Sequence, residues 1–167
     1  CIRDRYYTRG IFPWGNECYL RSDMYHQYAP FFSELWHKIR NGESLTYSWN
    51  IGMGTNFTSL FAYYLASPSN WFVALFPQKY TIEIMNAFII LKIAGSSLSL
   101  TYYLTKHNNN KHVIAAIFGM FYGMSGFIAA YSWNIMWLDC VILIPLIMLG
   151  LERLVNENRC IFYCCLL

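Results

Sequence analysis

The stretch IMWLDCVILIPLIMLGLERLV, residues 135–155, decides the fold, because it stays apolar over the length that a membrane-spanning helix requires. About 20 residues, rising ~1.5 Å each, cross the ~30 Å hydrocarbon core of a bilayer. Asp139 is the one carboxylate near the start of the stretch, and a carboxylate at mid-membrane costs roughly 2.5–3.5 kcal/mol. It lies roughly 7 Å inside the span. The sequence predicts either a local cap or pair at the helix start, or a side chain facing an outward-opening polar cavity.

Two further stretches of similar length are apolar enough to span. Residues 84–104 contain one charge, Lys92, and residues 113–131 contain none. The whole chain is 56% hydrophobic and 13% charged, whereas soluble domains carry about 25% charged residues. The composition therefore predicts an all-α integral membrane protein. The formal charge of +3 is small and is not massed in one patch, which argues against a nucleic-acid partner.

The loops between these stretches predict the orientation. Residues 105–112 contain two Lys and two His, and positively charged loops lie on the cytoplasmic side. Residues 132–134 carry no charge, and Trp133 and Trp137 lie in and just after this loop, which is typical of the outer interface. Residues 1–56 are then extracytoplasmic.

The apolar segment 57–77 is interrupted by Ser-Pro-Ser-Asn at residues 67–70. Proline removes a backbone donor, and turn-favouring residues disfavour one unbroken helix. We expect two short interfacial or re-entrant segments. A single kinked span is the alternative, and it would reverse the side assigned to residues 1–56.

The chain lacks an initiator Met and ends in a new apolar run, 161–167, so we expect a fragment of a longer protein, with a further span beginning there.

Within the outer segment, residues 29–40 have the pattern of an amphipathic helix. Pro30 suits its first turn and Gly42 its end. The polar face carries Glu34, His37 and Lys38. The apolar face carries Tyr28, Phe31, Phe32, Leu35, Trp36 and Ile39. Such a helix is predicted to lie along the membrane surface; the alternative is a core helix of a soluble subdomain.

The sequence leaves two alternative roles for each of two charged residues, Asp23 and Lys92. Asp23 precedes the helix as an N-cap would, but Pro30 indicates a later helix start, which would leave the carboxylate free. Lys92 either receives the phosphate of a lipid substrate or pairs with a buried carbonyl or carboxylate. The chain contains no Gly-rich phosphate loop, no nucleophile elbow and no His pair for a metal at helical spacing. Any chemistry would therefore use carboxylates at the outer face, as a general base or beside a divalent cation.

Three blocks of sequence resemble the bacterial YfhO membrane protein family in order and spacing. They read SDMYHQYAPFFSELWHKIRNGESLTYSWNIGMGTN from residue 22, AYYLASPSNWFVALFP from residue 62 and YSWNIMWLDCVILIPLIMLGLERL from residue 131. Together they cover about residues 23–154. That family is similar to the GT-C class of membrane glycosyltransferases.

The resemblance implies a GT-C-like helical bundle that transfers a sugar from a polyprenyl-phosphate carrier. The acceptor would be a cell-envelope polymer such as lipoteichoic acid, on the outer face of the cell membrane. Asp23 matches the essential acidic residue of the first outer loop, as catalytic base or as holder of a divalent cation, the one cofactor implied. Residues expected to line the cavity or bind substrate are Asp139, Lys92, His26, Gln27, Tyr47, Trp49, Tyr63 and Tyr64. The alternatives are a transporter or flippase for lipid-linked sugars and a non-catalytic scaffold for envelope assembly.

Overall fold

The computed structural model describes residues 7–10, 15, 23–108 and 112–166, and most of these are helical. Within these described residues, three stretches are long and apolar enough to cross a membrane: Gln78–His107, His112–Tyr131 and Ile135–Glu157. The prediction of an all-α membrane protein is therefore confirmed. The chain divides into two compact units, Cys1–Phe88 and Ile89–Leu167.

The first unit contains the helix predicted from the amphipathic pattern. A π-helical turn, Met24–Tyr28, leads without interruption into helix α1, Ala29–Asn41, which ends at Gly42 in the left-handed region at φ +67°. The helical backbone thus begins one turn earlier than Pro30 indicated. The physical reason is that Met24 and Tyr28 are fully buried and extend the apolar face of α1 backward.

A short hairpin follows α1. Strands β1, Tyr47–Ser48, and β2, Thr55–Asn56, pair in antiparallel fashion. Their connection includes Met53 at φ 62°, between two glycines that also have positive φ. Asn56 then caps helix α2, Phe57–Leu60, because its Oδ1 accepts from the Thr58 backbone N–H at 3.0 Å. We call residues 47–56 the hairpin.

The segment after the hairpin consists of short helical pieces. Helix α2 continues as a π-helical turn, Phe61–Leu65, and 3-10 turns follow at Pro68–Leu75 and Gln78–Tyr80. The Trp36 indole donates to the Phe76 carbonyl at 2.6 Å, and this contact holds the segment against α1. The interfacial or re-entrant location of these pieces stays a prediction.

The second unit contains most of the long apolar helices. In chain order the remaining helices are α3, Thr81–His107; α4, His112–Gly123; α5, Gly126–Tyr131; α6, Ile135–Glu157; and α7, Ile161–Leu166. The stretch predicted as one helix over 113–131 is thus divided between α4 and α5. Ser125 lies at the break, and its Oγ accepts from the Ile128 N–H at 3.5 Å. The hydroxyl thus accepts the hydrogen bond that a backbone carbonyl would accept in a continuous helix.

Helices α3 and α4 approach each other closely through small residues. Gly119 and Gly123 of α4 are buried, and a Cβ at either position would collide with Ser97 or Thr101 of α3. Small residues allow this kind of close backbone approach between membrane helices, where packing rather than the hydrophobic effect drives association.

Helix α6 contains a buried proline, Pro145. Proline has no N–H, so the Val141 carbonyl, four residues earlier, lacks its usual helical donor. The Tyr122 hydroxyl of α4 donates to that carbonyl at 2.9 Å. A side chain from a neighbouring helix thus replaces the missing backbone hydrogen bond.

Candidate functional site

Asp23 lies at the start of the helical backbone, half-buried, and its side chain makes no capping hydrogen bond. The ring of Tyr64 packs edge-on against Tyr28, with centroids 5.4 Å apart, and edge-on against Tyr63 at 4.7 Å. Burial, Tyr63 and the negative charge of Asp23 together raise the pKa of the Tyr64 hydroxyl above its usual value. The structure therefore brings Asp23, Tyr63 and Tyr64 into one neighbourhood, which we call the Asp23 cluster.

Two further predicted residues lie on the helical turn that follows Asp23. His26 is exposed and packs edge-on against Tyr25, with ring centroids 5.3 Å apart. Gln27 is half-buried. Both are close to Asp23 along the chain, and His26 is accessible from solvent.

Tyr47 and Trp49, both predicted to contact substrate, lie in the hairpin. Tyr47 and Trp49 pack edge-on with ring centroids 4.9 Å apart, and Trp49 is 76% exposed. Exposed aromatic faces of this kind can stack on the apolar face of a sugar ring.

Sequence reasoning missed a buried polar network beneath the hairpin. Glu34 and Lys38 were assigned to the outward polar face of α1, but only 7% and 3% of their surfaces are exposed. Glu34 accepts from the Ser48 hydroxyl at 2.6 Å and from the Asn50 amide at 3.0 Å. Lys38 donates to the Tyr47 carbonyl at 2.8 Å. The outward assignment is wrong because the hairpin folds back over this face. The only feature of the sequence that could have indicated the network is the i,i+4 spacing of Glu34 and Lys38.

The network sets the protonation of Glu34. Burial raises the pKa of this carboxyl, but the hydrogen bonds from Ser48 and Asn50 and the charge of Lys38 outweigh burial, so its pKa is lowered. Glu34 is therefore a carboxylate at neutral pH and serves as a fixed acceptor for the hairpin.

The lowered pKa of Glu34 predicts that acid loosens the hairpin. Its contribution to stability is complete above the ordinary glutamate pKa and is lost as the pH falls through the lower folded value. We expect amide protection factors in residues 47–56 to be lower at about pH 3 than at about pH 6, with the decline beginning as the pH falls below the ordinary glutamate pKa of 4.5; hydrogen exchange measures them. Glu34→Gln should remove most of this acid dependence, and equal protection at both pH values in the wild type would contradict the assignment.

In the second unit, two predicted site residues form an ion pair. Lys92 Nζ lies 2.8 Å from Asp139 Oδ2 and 3.3 Å from the Ile135 carbonyl. Lys92 is 5% exposed, whereas the Asp139 side chain keeps 30% of its surface accessible. Of the two roles left open for Lys92, pairing with a carboxylate is the one observed. The charge that made Asp139 conspicuous in an apolar stretch is matched by a cation from α3.

These arrangements differ in what they can do chemically. The Asp23 cluster combines a carboxylate free of capping with exposed aromatic surface, which suits a general base beside a sugar ring. The Lys92–Asp139 pair is charge-neutral, so its first effect is structural. Among residues 7–10, 15, 23–108 and 112–166, no group of three or more His, Cys, Asp or Glu side chains could hold a metal ion. Those residues do not by themselves form a metal site.

Comparison with known proteins gives one match. The chain matches the family model described as "Bacterial membrane protein YfhO" over residues 4–167. No curated protein and no solved structure shows significant similarity to it.

Proposed function

Because the chain belongs to the YfhO family of bacterial membrane proteins, we propose that it acts in a membrane glycosyltransferase. The donor is a sugar on a polyprenyl-phosphate carrier, and the acceptor is a hydroxyl of a cell-envelope polymer such as lipoteichoic acid. The observation that carries the proposal is Asp23, a half-buried carboxylate without a capping role whose charge acts on the Tyr64 hydroxyl.

In the proposed reaction, the acceptor hydroxyl attacks C1 of the sugar and the bond from C1 to the lipid phosphate breaks. Asp23 accepts the hydroxyl proton, and the carrier phosphate leaves with the bonding electron pair. Tyr63 and Tyr64 support the sugar ring through its apolar face.

The proposed location is the outer face of the cell membrane, in a multi-pass protein. The basic loop 105–112 and the uncharged, Trp-flanked loop 132–134 support opposite sides for the two ends of the intervening span. This orientation makes residues 1–56, and with them Asp23, extracytoplasmic. A lipid-linked donor and an envelope polymer are both accessible there.

A transporter or flippase for lipid-linked sugars is the second candidate. It is favoured by the Lys92–Asp139 pair, because charged residues inside a span often mark a substrate or ion path. In that case Lys92 and Asp139 would govern movement of lipid-linked sugar, and no acceptor would be needed.

The test is the substitution Asp23→Asn in the full-length protein. Removing a general base typically lowers the rate by about 10²–10⁴-fold, so we expect at least a hundred-fold loss of sugar transfer to the envelope polymer. The measurement is incorporation of labelled sugar by membranes containing the variant. Glu43→Gln, which removes an exposed carboxylate from the same unit, is the matched control and should retain transfer.

Two results would contradict the proposal. One is unchanged transfer by a normally inserted Asp23→Asn protein. The other is wild-type movement of lipid-linked sugar in vesicles without acceptor, lost in Asp139 variants and kept in Asp23→Asn, which would establish the flippase instead.

A further inference from the structure

A second polar site lies at the far end of the second unit, away from Asp139 along α6. A cleft of about 450 Å³ opens between the last turns of α3 and α6. Its lining residues are Lys106, His107, Leu149, Glu152, Arg153, Asn156 and Glu157.

The carboxylates of this cleft already have donors. Glu152 Oε1 accepts from the Tyr103 hydroxyl at 2.7 Å and lies 3.0 Å from His107 Nδ1. Glu157 lies 3.5 Å from the guanidinium of Arg159. Each of the two carboxylates therefore has a donor or a cation other than Lys106 and Arg153.

The cations of the cleft are not neutralised in this way. Within residues 23–108 and 112–166, neither Lys106 nor Arg153 forms an ion pair with a carboxylate. Instead Lys106 lies over the Tyr102 ring, 5.8 Å from its centroid, and Arg153 lies over the Phe162 ring at 5.2 Å. Favourable interaction with helix dipoles accounts for a cation at each helix end. The helix dipoles do not account for a cleft between these two helix ends in which the carboxylates already have other partners.

The depth of the cleft points to its ligand. Helix α3 has 27 residues and α6 has 23, whereas about 20 residues cross the hydrocarbon core. The last turns of both helices therefore lie at the level of the lipid head groups. Leu149, which also lines the cleft, is apolar and buried, as the boundary with the acyl chains requires.

We propose that this cleft binds a phosphate group, with Lys106 and Arg153 as its ligands and a membrane lipid head group as its source. Arg provides paired N–H donors for phosphate oxygens, and Lys adds a mobile positive charge. The Asn156 amide lines the same opening and can donate to a further oxygen. The proposal does not depend on the glycosyltransferase assignment, since it concerns another part of the chain and another chemical group.

The experiment measures lipid binding by the full-length protein in detergent, with native mass spectrometry as the readout. Phosphatidylglycerol is compared with diacylglycerol, which has the same acyl chains and no phosphate. A basic residue near a membrane surface contributes about 1 kcal/mol, or roughly five-fold in affinity. Lys106→Gln and Arg153→Gln should each weaken phosphatidylglycerol binding by about that factor.

The control is Lys79→Gln, which removes an exposed lysine that likewise lies over a tyrosine ring, 4.7 Å from the centroid of Tyr80, but does not line the cleft. Weakening by Lys79→Gln equal to that by Lys106→Gln would mean diffuse surface charge and would overturn the site. Equal binding of phosphatidylglycerol and diacylglycerol would overturn it too. Added inorganic phosphate distinguishes the source: displacement of lipid only at high phosphate concentration supports a head-group site. Displacement at micromolar concentration would overturn the lipid source and leave a site for free phosphate.

Discussion

Asp139→Ala is expected to lower the free energy of unfolding by about 3–5 kcal/mol, the usual cost of removing one partner from a buried ion pair. The reason is the location of Lys92, which is 5% exposed and would lose the carboxylate that lies 2.8 Å from its ammonium. The cost of losing a counter-charge is greater still if the surroundings are hydrocarbon rather than water. Thermal or detergent-induced unfolding of the purified protein measures the effect.

The double substitution Lys92→Met with Asp139→Leu separates charge from packing. Replacing a buried ion pair by apolar residues of similar size is often neutral or stabilising, so the double variant should recover most of the loss. Cys140→Ala, at the exposed neighbouring position, is the matched control and should unfold like the wild type. If Asp139→Ala behaves like Cys140→Ala, the ion pair does not stabilise the second unit.

Glu34→Ala is expected to produce the second largest effect, a loss of about 3 kcal/mol concentrated in the first unit. The substitution removes the acceptor of Ser48 and Asn50 and the buried one of the two carboxylates that lie 3.7 Å from the Lys38 ammonium, which is 3% exposed. We expect the hairpin to become a site of rapid protease cleavage while the spans stay folded. Limited proteolysis followed by mass spectrometry locates the cleavage.

Glu43→Ala tests whether burial is the cause. Glu43 lies 3.7 Å from the same Lys38 ammonium, but its side chain is 44% exposed, and exposed ion pairs contribute about 0–1 kcal/mol. Equal protease sensitivity of the Glu34→Ala and Glu43→Ala proteins would show that the buried network does not hold the hairpin.

The three long apolar stretches were predicted well from the sequence, because the length of an apolar run can be read locally. The break at Ser125 escaped that criterion, since an apolar stretch of the right length can still contain a helix end. The need of Asp139 for a partner or polar cavity was also predictable from the cost of a charge in hydrocarbon. Its partner was not, because Lys92 lies 47 positions away in the chain and only the packing of α3 against α6 joins them.

The candidate site, like the fold, could be predicted from the sequence only in part. Asp23 was identified from family resemblance, and the local pattern left its role open between a cap and a free carboxylate. The buried network of Glu34 and Lys38 could not be predicted, because an i,i+4 pair of opposite charges is most often solvent-exposed. Residues 43–56 have no periodic pattern from which the packing of the hairpin over α1 could be predicted. Burial of polar residues by a loop is a tertiary effect without a local signature.

The hydrogen bond from Tyr122 to the Val141 carbonyl has a consequence for biogenesis. A nascent α6 entering the bilayer alone would expose the carbonyl left bare by Pro145, at a cost of several kcal/mol. Tyr122 precedes α6 in the chain, so the donor that pairs with this carbonyl is synthesised before α6. Helices α4 to α6 are therefore suited to enter the membrane together, as a helical hairpin whose earlier arm completes the backbone of the later one.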